Sequence, residues 1–170
     1  MKKILEYIDS YPDYPQKGII YKDLLGIFRE PKIFRDLIDK MASSQEIQDS
    51  EAIIAIEARG FIFGSAIAFH IGKPLIVARK PKKLPGELIT KKYKLEYGTN
   101  ELAIQQKSIE KYQKFNVVDD VLATGGTVNC VTDLLISVGK EIVGYSFVVE
   151  LESLKGRNGL LSPVTSQIKI

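Results

Sequence analysis

The chain has 170 residues, enough for one domain with a real hydrophobic core. Hydrophobic residues make up 45% of it and charged residues 26%, a globular balance that excludes a disordered or fibrous chain. A net charge of +3 is too mild to argue for nucleic acid but suits a small polyanionic substrate.

Cys130 is the only cysteine, so no intrachain disulfide can form, consistent with a reducing compartment. Its place within an apolar helical pattern makes it a small core residue rather than a nucleophile. With no CxxC and no His cluster, a structural zinc is not expected. Residues 1–10 carry two lysines, but Glu6 and Asp9 interrupt any apolar run, so a signal peptide is not expected. The longest uncharged apolar stretch, residues 60–72, is too short to span a bilayer. The expected location is cytoplasmic, with no membrane and no nucleic-acid partner.

Along the chain, Ile4, Leu5 and Ile8 give residues 2–9 the pattern of a short amphipathic helix. Residues 11–18 (Tyr-Pro-Asp-Tyr-Pro-Gln-Lys-Gly) exclude helix and central strand, and residues 19–23 read as a short extended piece. Pro31 opens a helix that turns Ile33, Phe34, Leu37, Ile38 and Met41 inward. Residues 43–50 read as a polar connection. Residues 52–56 are a buried strand ending in a Glu57-Ala58-Arg59-Gly60 turn, followed by a helix to Ile71 that Gly72 stops. The single histidine, His70, lies at the end of that helix and reads as structural. Residues 74–78 form the next strand. From Arg79 to about Gly98 the chain is basic and without clear periodicity. Residues 101–105 and 115–118 read as strands, a helix follows from Thr127, residues 142–149 form a last strand, and a short tail closes the chain. Strand and helix alternate, so the class is α/β with a mostly parallel central sheet flanked by helices, and ligands are expected outside the carboxyl ends of its strands.

Three segments fall at those ends. The first is residues 117–127, Val-Val-Asp-Asp-Val-Leu-Ala-Thr-Gly-Gly-Thr. From Ala123 through Thr124, Gly125 and Gly126 to Thr127 no bulky side chain intervenes, so main-chain amides at a helix N-terminus can face an anion. Asp119 and Asp120 would repel a bare phosphate, but they can accept hydrogen bonds from a ribose diol. The string therefore describes a ribose 5-phosphate site. It is not a Walker loop, since no Lys follows the second glycine. The second segment, Glu57-Ala58-Arg59-Gly60-Phe61, places a guanidinium fork in a strand-to-helix turn. Taken alone it is equally an ordinary turn with a surface Arg; beside a ribose phosphate, pyrophosphate binding is the better reading. In the third, seven of the sixteen residues 79–94 are Lys or Arg. Such runs are often a solvated face, but this one starts at a strand end and is long for a structureless connection, so it reads as a mobile lid loop.

The 117–127 string resembles the phosphoribosyl pyrophosphate signature of the type I phosphoribosyltransferases. Glu57–Phe61, Arg79-Lys80 with Lys83-Leu84-Pro85, Leu95-Glu96-Tyr97-Gly98, Pro12-Asp13-Tyr14-Pro15 and residues 150–157 occur in one order and spacing, and together they resemble the adenine phosphoribosyltransferase family over nearly the whole chain. The resemblance implies a single domain over residues 1–170, with about 1–30 forming a small hood over the base. It implies adenine and phosphoribosyl pyrophosphate as substrates, AMP and pyrophosphate as products, and a homodimer. It implies Mg²⁺ bound mainly through the substrate, with no direct protein ligand expected. Residues 123–127 would hold the 5-phosphate, and Asp119 and Asp120 the ribose hydroxyls. Glu57, Ala58 and Arg59 would form the pyrophosphate loop, with Arg79, Lys80 and Lys83 reaching pyrophosphate, Arg79 in the partner subunit's site. Tyr21 and Leu151 would sandwich adenine, although by residue pattern alone both read as core packing. The backbone of Ile20 and Lys22 would read the base edge, with Tyr11 and Tyr14 packing near it. Glu96, as acid/base partner of the purine, and Tyr97 would sit on the lid. The family usually has Phe at the position of Tyr21 and Arg at that of Lys22; Tyr keeps the aromatic face.

Overall fold

The computed structural model describes residues 2–95 and 98–170. Its centre is a five-stranded, all-parallel sheet in the order β4 (Leu75–Ala78), β3 (Ala52–Ile56), β7 (Lys114–Leu122), β8 (Glu141–Glu150) and β9 (Val164–Lys169). A parallel sheet must be covered on both faces, which is why β3 is buried at all five positions. Ile54 and Ile56 enter a cluster with Val117, Phe147 and the inner face of α7 (Gly126–Ser137). Ile53 enters the opposite cluster with Val118, α3 (Pro31–Ala42) and α5 (Gly60–Ile71).

The remaining elements sit around this frame. Before the sheet come α1 (Lys2–Leu5), the hairpin of β1 (Asp9–Pro12) with β2 (Ile20–Asp23), and α2 (Leu25–Phe28). A second antiparallel ribbon, β5 (Leu88–Leu95) with β6 (Gly98–Gln105), packs β5 against α7 and is followed by α6 (Gln106–Ile109). Pro31 occupies the first turn of α3 as expected, with Leu37, Ile38 and Met41 buried and Ile33 and Phe34 half-buried. Gly72 stops α5 in the left-handed conformation, φ 67°.

Four expectations change. The first helix is one turn only. The polar connection at 43–50 contains α4 (Gln45–Asp49), anchored by buried Ile47; Lys73 Nζ caps its end, donating to the carbonyls of Ile47, Gln48 and Ser50 at 2.7, 2.6 and 2.5 Å. The expected lid without regular structure is largely the β5–β6 ribbon. Its inward positions are Ile89, Lys91 and Tyr93, and a lysine in the middle of that series hides the two-residue period; Lys91 pairs instead with Asp133 of α7 at 3.2 Å. The tail is β9, an edge strand parallel to β8, so 142–149 is not the last strand. Its Val-Thr-Ser-Gln-Ile-Lys sequence is too polar to read as buried, yet Gln167 and Ile168 are.

Cys130 is buried in α7, where burial pushes its thiol up to about 11, so it stays a neutral packing group. His70 is exposed and lies 3.5 Å from Asp39 of α3. Among the described residues no helix is long and apolar enough to cross a membrane.

Candidate functional site

Strand β7 runs further than expected and includes Asp119, Asp120 and Leu122. The chain then turns through 123–125 into α7. Gly125 makes the turn at φ 84°, a conformation that only glycine adopts without strain. A side chain there would also collide with the carbonyl of Gly156, 2.4 Å from its Cβ. The first hydrogen bond of α7 runs from Asn129 N to Gly125 O at 2.9 Å, so the amides of Gly126, Thr127 and Val128 have no partner within the helix. They open, with the positive end of the helix, onto a small concavity lined by Asp119 and residues 121–128. The Thr127 hydroxyl lies 3.4 Å from the Tyr93 hydroxyl.

The two aspartates differ. Asp119 lines the concavity, and its Oδ1 accepts the amide of Asp120 at 2.8 Å. Burial, and then the charge of Asp120, push its carboxyl well above the usual range. Asp120 is 6% exposed; its Oδ1 accepts from Val121 N at 2.9 Å, and its Oδ2 forms an ion pair with Arg59 Nε.

Arg59 is delivered by the turn between β3 and α5. Its Nη1 donates to the Tyr21 hydroxyl, and its Cζ lies 4.9 Å from the centre of the Tyr21 ring. The helix following it can approach β7 because position 60 is glycine: a Cβ there would come within 2.6 Å of Asp119 Oδ1. In the same turn, Glu57 is a hub for the basic segment. It accepts from Lys83 Nζ, from the Lys80 amide at 3.1 Å and from Arg79 at 3.5 Å. Burial would raise its carboxyl, but the Lys83, Lys80 and Arg79 hydrogen bonds outweigh it and hold the group below its ordinary value. Arg79 also lies over the ring of Phe61 at 5.4 Å. The Glu57–Ala58 peptide is cis.

The structure thus gathers Asp119, Asp120, Arg59 and Tyr21 into one chain of contacts, with Glu57, Arg79, Lys80 and Lys83 beside it. Tyr14 stands edge-on to Tyr21 at 5.2 Å, whereas Lys22 Nζ turns back to Ser10 Oγ at 2.9 Å within the hairpin and Ile20 is exposed. Leu151 is half-buried against the cluster that includes Val118, its amide donating to Leu122 O at 2.9 Å. Glu96 and Tyr97 lie outside the described residues. Two contributors were not read from the sequence. Tyr93 is concealed in a run of lysines. Gly156 could have been found as a lone glycine in a turn after a strand, a sign of close backbone approach.

A family model for the phosphoribosyl transferase domain matches residues 26–158. An adenine phosphoribosyltransferase of Prochlorococcus marinus (strain MIT 9515) is 61% identical over 98% of this chain and 97% of its own. The crystal structure of adenine phosphoribosyltransferase from Thermoanaerobacter pseudethanolicus superposes with a TM-score of 0.94 at 37% identity, covering 99% of both chains. That of the Saccharomyces cerevisiae enzyme, complexed with an imino-altritol bisphosphate and adenine, gives 0.90 at 35% identity over 97% of this chain and 96% of its own. Sequence, fold and site geometry agree: the chain belongs to the adenine phosphoribosyltransferase family.

Proposed function

We infer that the chain transfers the 5-phosphoribosyl group of phosphoribosyl pyrophosphate to N9 of adenine, giving AMP and pyrophosphate, a purine-salvage reaction. The observation that carries this reading is the set of amides at 126–128, without a partner inside the helix, beside the same concavity as Asp119. A phosphate and a diol a few ångströms apart satisfy both.

In this reading Ala123, Thr124, Gly125, Gly126 and Thr127 hold the 5-phosphate, and Asp119 and Asp120 take the ribose hydroxyls. The C1–oxygen bond breaks with its electron pair leaving on pyrophosphate, and adenine N9 forms the new bond from the opposite face, inverting the sugar. Arg59 and the basic groups around Glu57 meet the charge on the departing pyrophosphate, where the barrier is lowered most. Glu57 keeps Arg79 and Lys83 aimed and holds the Lys80 amide, while Ala58 leaves the pyrophosphate room. Tyr21 and Leu151 stack on adenine, and the backbone of Ile20 and Lys22 reads its edge. Glu96 accepts the proton that N9 loses, with Tyr97 beside it on the lid, which excludes water.

The donor set also fits Mg²⁺. Asp119 offers oxygen alone, while Asp120 Oδ2 is committed to Arg59. The ion would be held mainly by substrate oxygens and water, with Asp119 or Asp120 reaching it through water, and when bound it would neutralise charge on pyrophosphate. We further propose a cytoplasmic homodimer in which Arg79 serves the partner's site; Ile62 and Phe69 on α5 and Leu75 on β4 are exposed apolar side chains available to it.

A panel of purine bases, each assayed for pyrophosphate release with phosphoribosyl pyrophosphate and Mg²⁺, tests the reading. Turnover with adenine far above hypoxanthine, guanine and xanthine is expected, and a preference for another base would refute it. Glu96→Ala should lower kcat by about 10²–10⁴-fold; a near-normal kcat would remove Glu96 from the mechanism.

A further inference from the structure

Behind the phosphate loop lies the turn that follows β8, and the two touch through backbone. A Cβ on Gly156 would come within 2.1 Å of Ala123 O and 3.1 Å of Gly125 N, while one on Gly125 would strike Gly156 O. No side chain separates the segments, so a shift of Gly156 must move the loop. At its near end the turn is fastened to the last residue of β7, just before the loop, by Leu151 N donating to Leu122 O at 2.9 Å.

Its far end is fastened differently. Arg157, next to Gly156, donates both Nε and Nη2 to the carboxylate of Glu150 at 2.5 Å each, a planar fork on the last residue of β8. Glu150 is 3% exposed, and Ser166 of β9 donates to its Oε2 at 2.8 Å. The Arg157 hydrogen bond leads in holding this carboxyl below its ordinary value, with burial opposing and Ser166 adding to it. The C-terminal residues complete the brace: Ile170 N donates to Glu150 O, and Glu152 N to Ile170 O, both at 2.9 Å.

We propose that Glu150 and Arg157, backed by Ser166 of the final strand, are positioning residues that set Gly156 against Ala123 and Gly125 and thereby fix the shape of the phosphate cradle. The inference rests on residues 123–127 being that cradle. A carboxylate buried at a strand end and tied to an arginine seven residues later folds the turn back on itself. It restrains the loop from behind without touching substrate. The near-end bond through Leu151 is independent of it, so the base side of the site is not governed by this pair.

Removing the fork should therefore weaken ribose 5-phosphate binding and spare adenine. In titration calorimetry of ribose 5-phosphate against the full chain, Arg157→Ala should raise Kd at least about tenfold and Arg157→Lys, which keeps charge but not the planar fork, by less. In steady state, KM for phosphoribosyl pyrophosphate should rise in the same order while KM for adenine stays within about twofold. A pair with only a structural role would lower the thermal midpoint and the active fraction but leave Kd and both KM values unchanged. That result in Arg157→Lys, or an equal rise in both KM values, would overturn the proposal. Arg157→Lys carries the test if Arg157→Ala does not fold. If the unaltered protein bound ribose 5-phosphate no better than Gly125→Val, the cradle assignment would fall and this inference with it; unaltered protein that binds while Arg157→Lys binds equally well sinks the inference alone.

Discussion

Two strand–turn–helix units build this site, and they work by different means. Between β7 and α7 the turn at 123–125 contains no charged side chain, and what it presents is main chain: the amides of 126–128 at a helix N-terminus. Between β3 and α5 the turn at 57–59 is dense with ionic ties, Glu57 to Arg79 and Lys83, Arg59 to Asp120 and Tyr21. The first offers an anion main-chain geometry built from neighbours in sequence. The second offers charges drawn from segments distant in sequence and held in place by each other. A main-chain site is spoiled by adding atoms, a charge site by removing them.

The comparison breaks most severely at Gly125. Gly125→Val adds a side chain where φ is 84° and the Gly156 carbonyl is already in contact. We expect kcat/KM to fall by at least about 10²–10³-fold, the scale of losing preorganised donors to an anion, with circular dichroism showing a folded chain. Retention of activity would mean that the loop amides do not bind substrate.

At the other turn, Arg59→Ala removes charge and leaves Asp120 buried beside Asp119. A loss of about 2 kcal/mol in phosphoribosyl pyrophosphate binding corresponds to a roughly 30-fold rise in its KM. Adenine, which Arg59 meets only through Tyr21, should be affected less. Steady-state kinetics with each substrate varied separately would reveal an equal weakening, which would remove Arg59 from the pyrophosphate side.

These two turns also differ in how much of them the sequence discloses. Residues 117–127 are legible because strand, acids, small residues and helix follow one another without interruption. Arg59 and Glu57 could be placed at a strand end, but nothing local shows that Glu57 gathers Arg79 and Lys83 or that Arg59 bridges Asp120 and Tyr21. Those ties join segments far apart in sequence that meet only in the folded chain. The same limit explains the fold. Uniformly apolar β3 and the β-branched Val117-Val118 centre of β7 are evident, whereas β5, with Lys91 on its packed face, and β9, a polar edge strand, are not. Their position is decided by α7 and β8, not by their own periodicity.

Asp119 sharpens the comparison at smaller amplitude, because it faces the main-chain site yet carries charge. Its folded pKa lies above the ordinary value near 3.8, so the native state holds this proton more tightly than the unfolded chain. Its contribution to stability is therefore greatest at low pH and declines as pH rises from about 3.8 through the raised value. Asp119→Asn should then gain stability in urea unfolding at neutral pH while losing turnover, the trade expected where a strained group serves function. A variant both less stable at neutral pH and fully active would contradict the role given to this carboxyl.

The most direct test is a crystal structure of the chain with AMP. The phosphate is expected against the amides of residues 123–127, with the ribose diol toward Asp119 and Asp120. A phosphate bound instead at Arg79, Lys80 and Lys83, with the 123–127 amides left to water, would contradict the account.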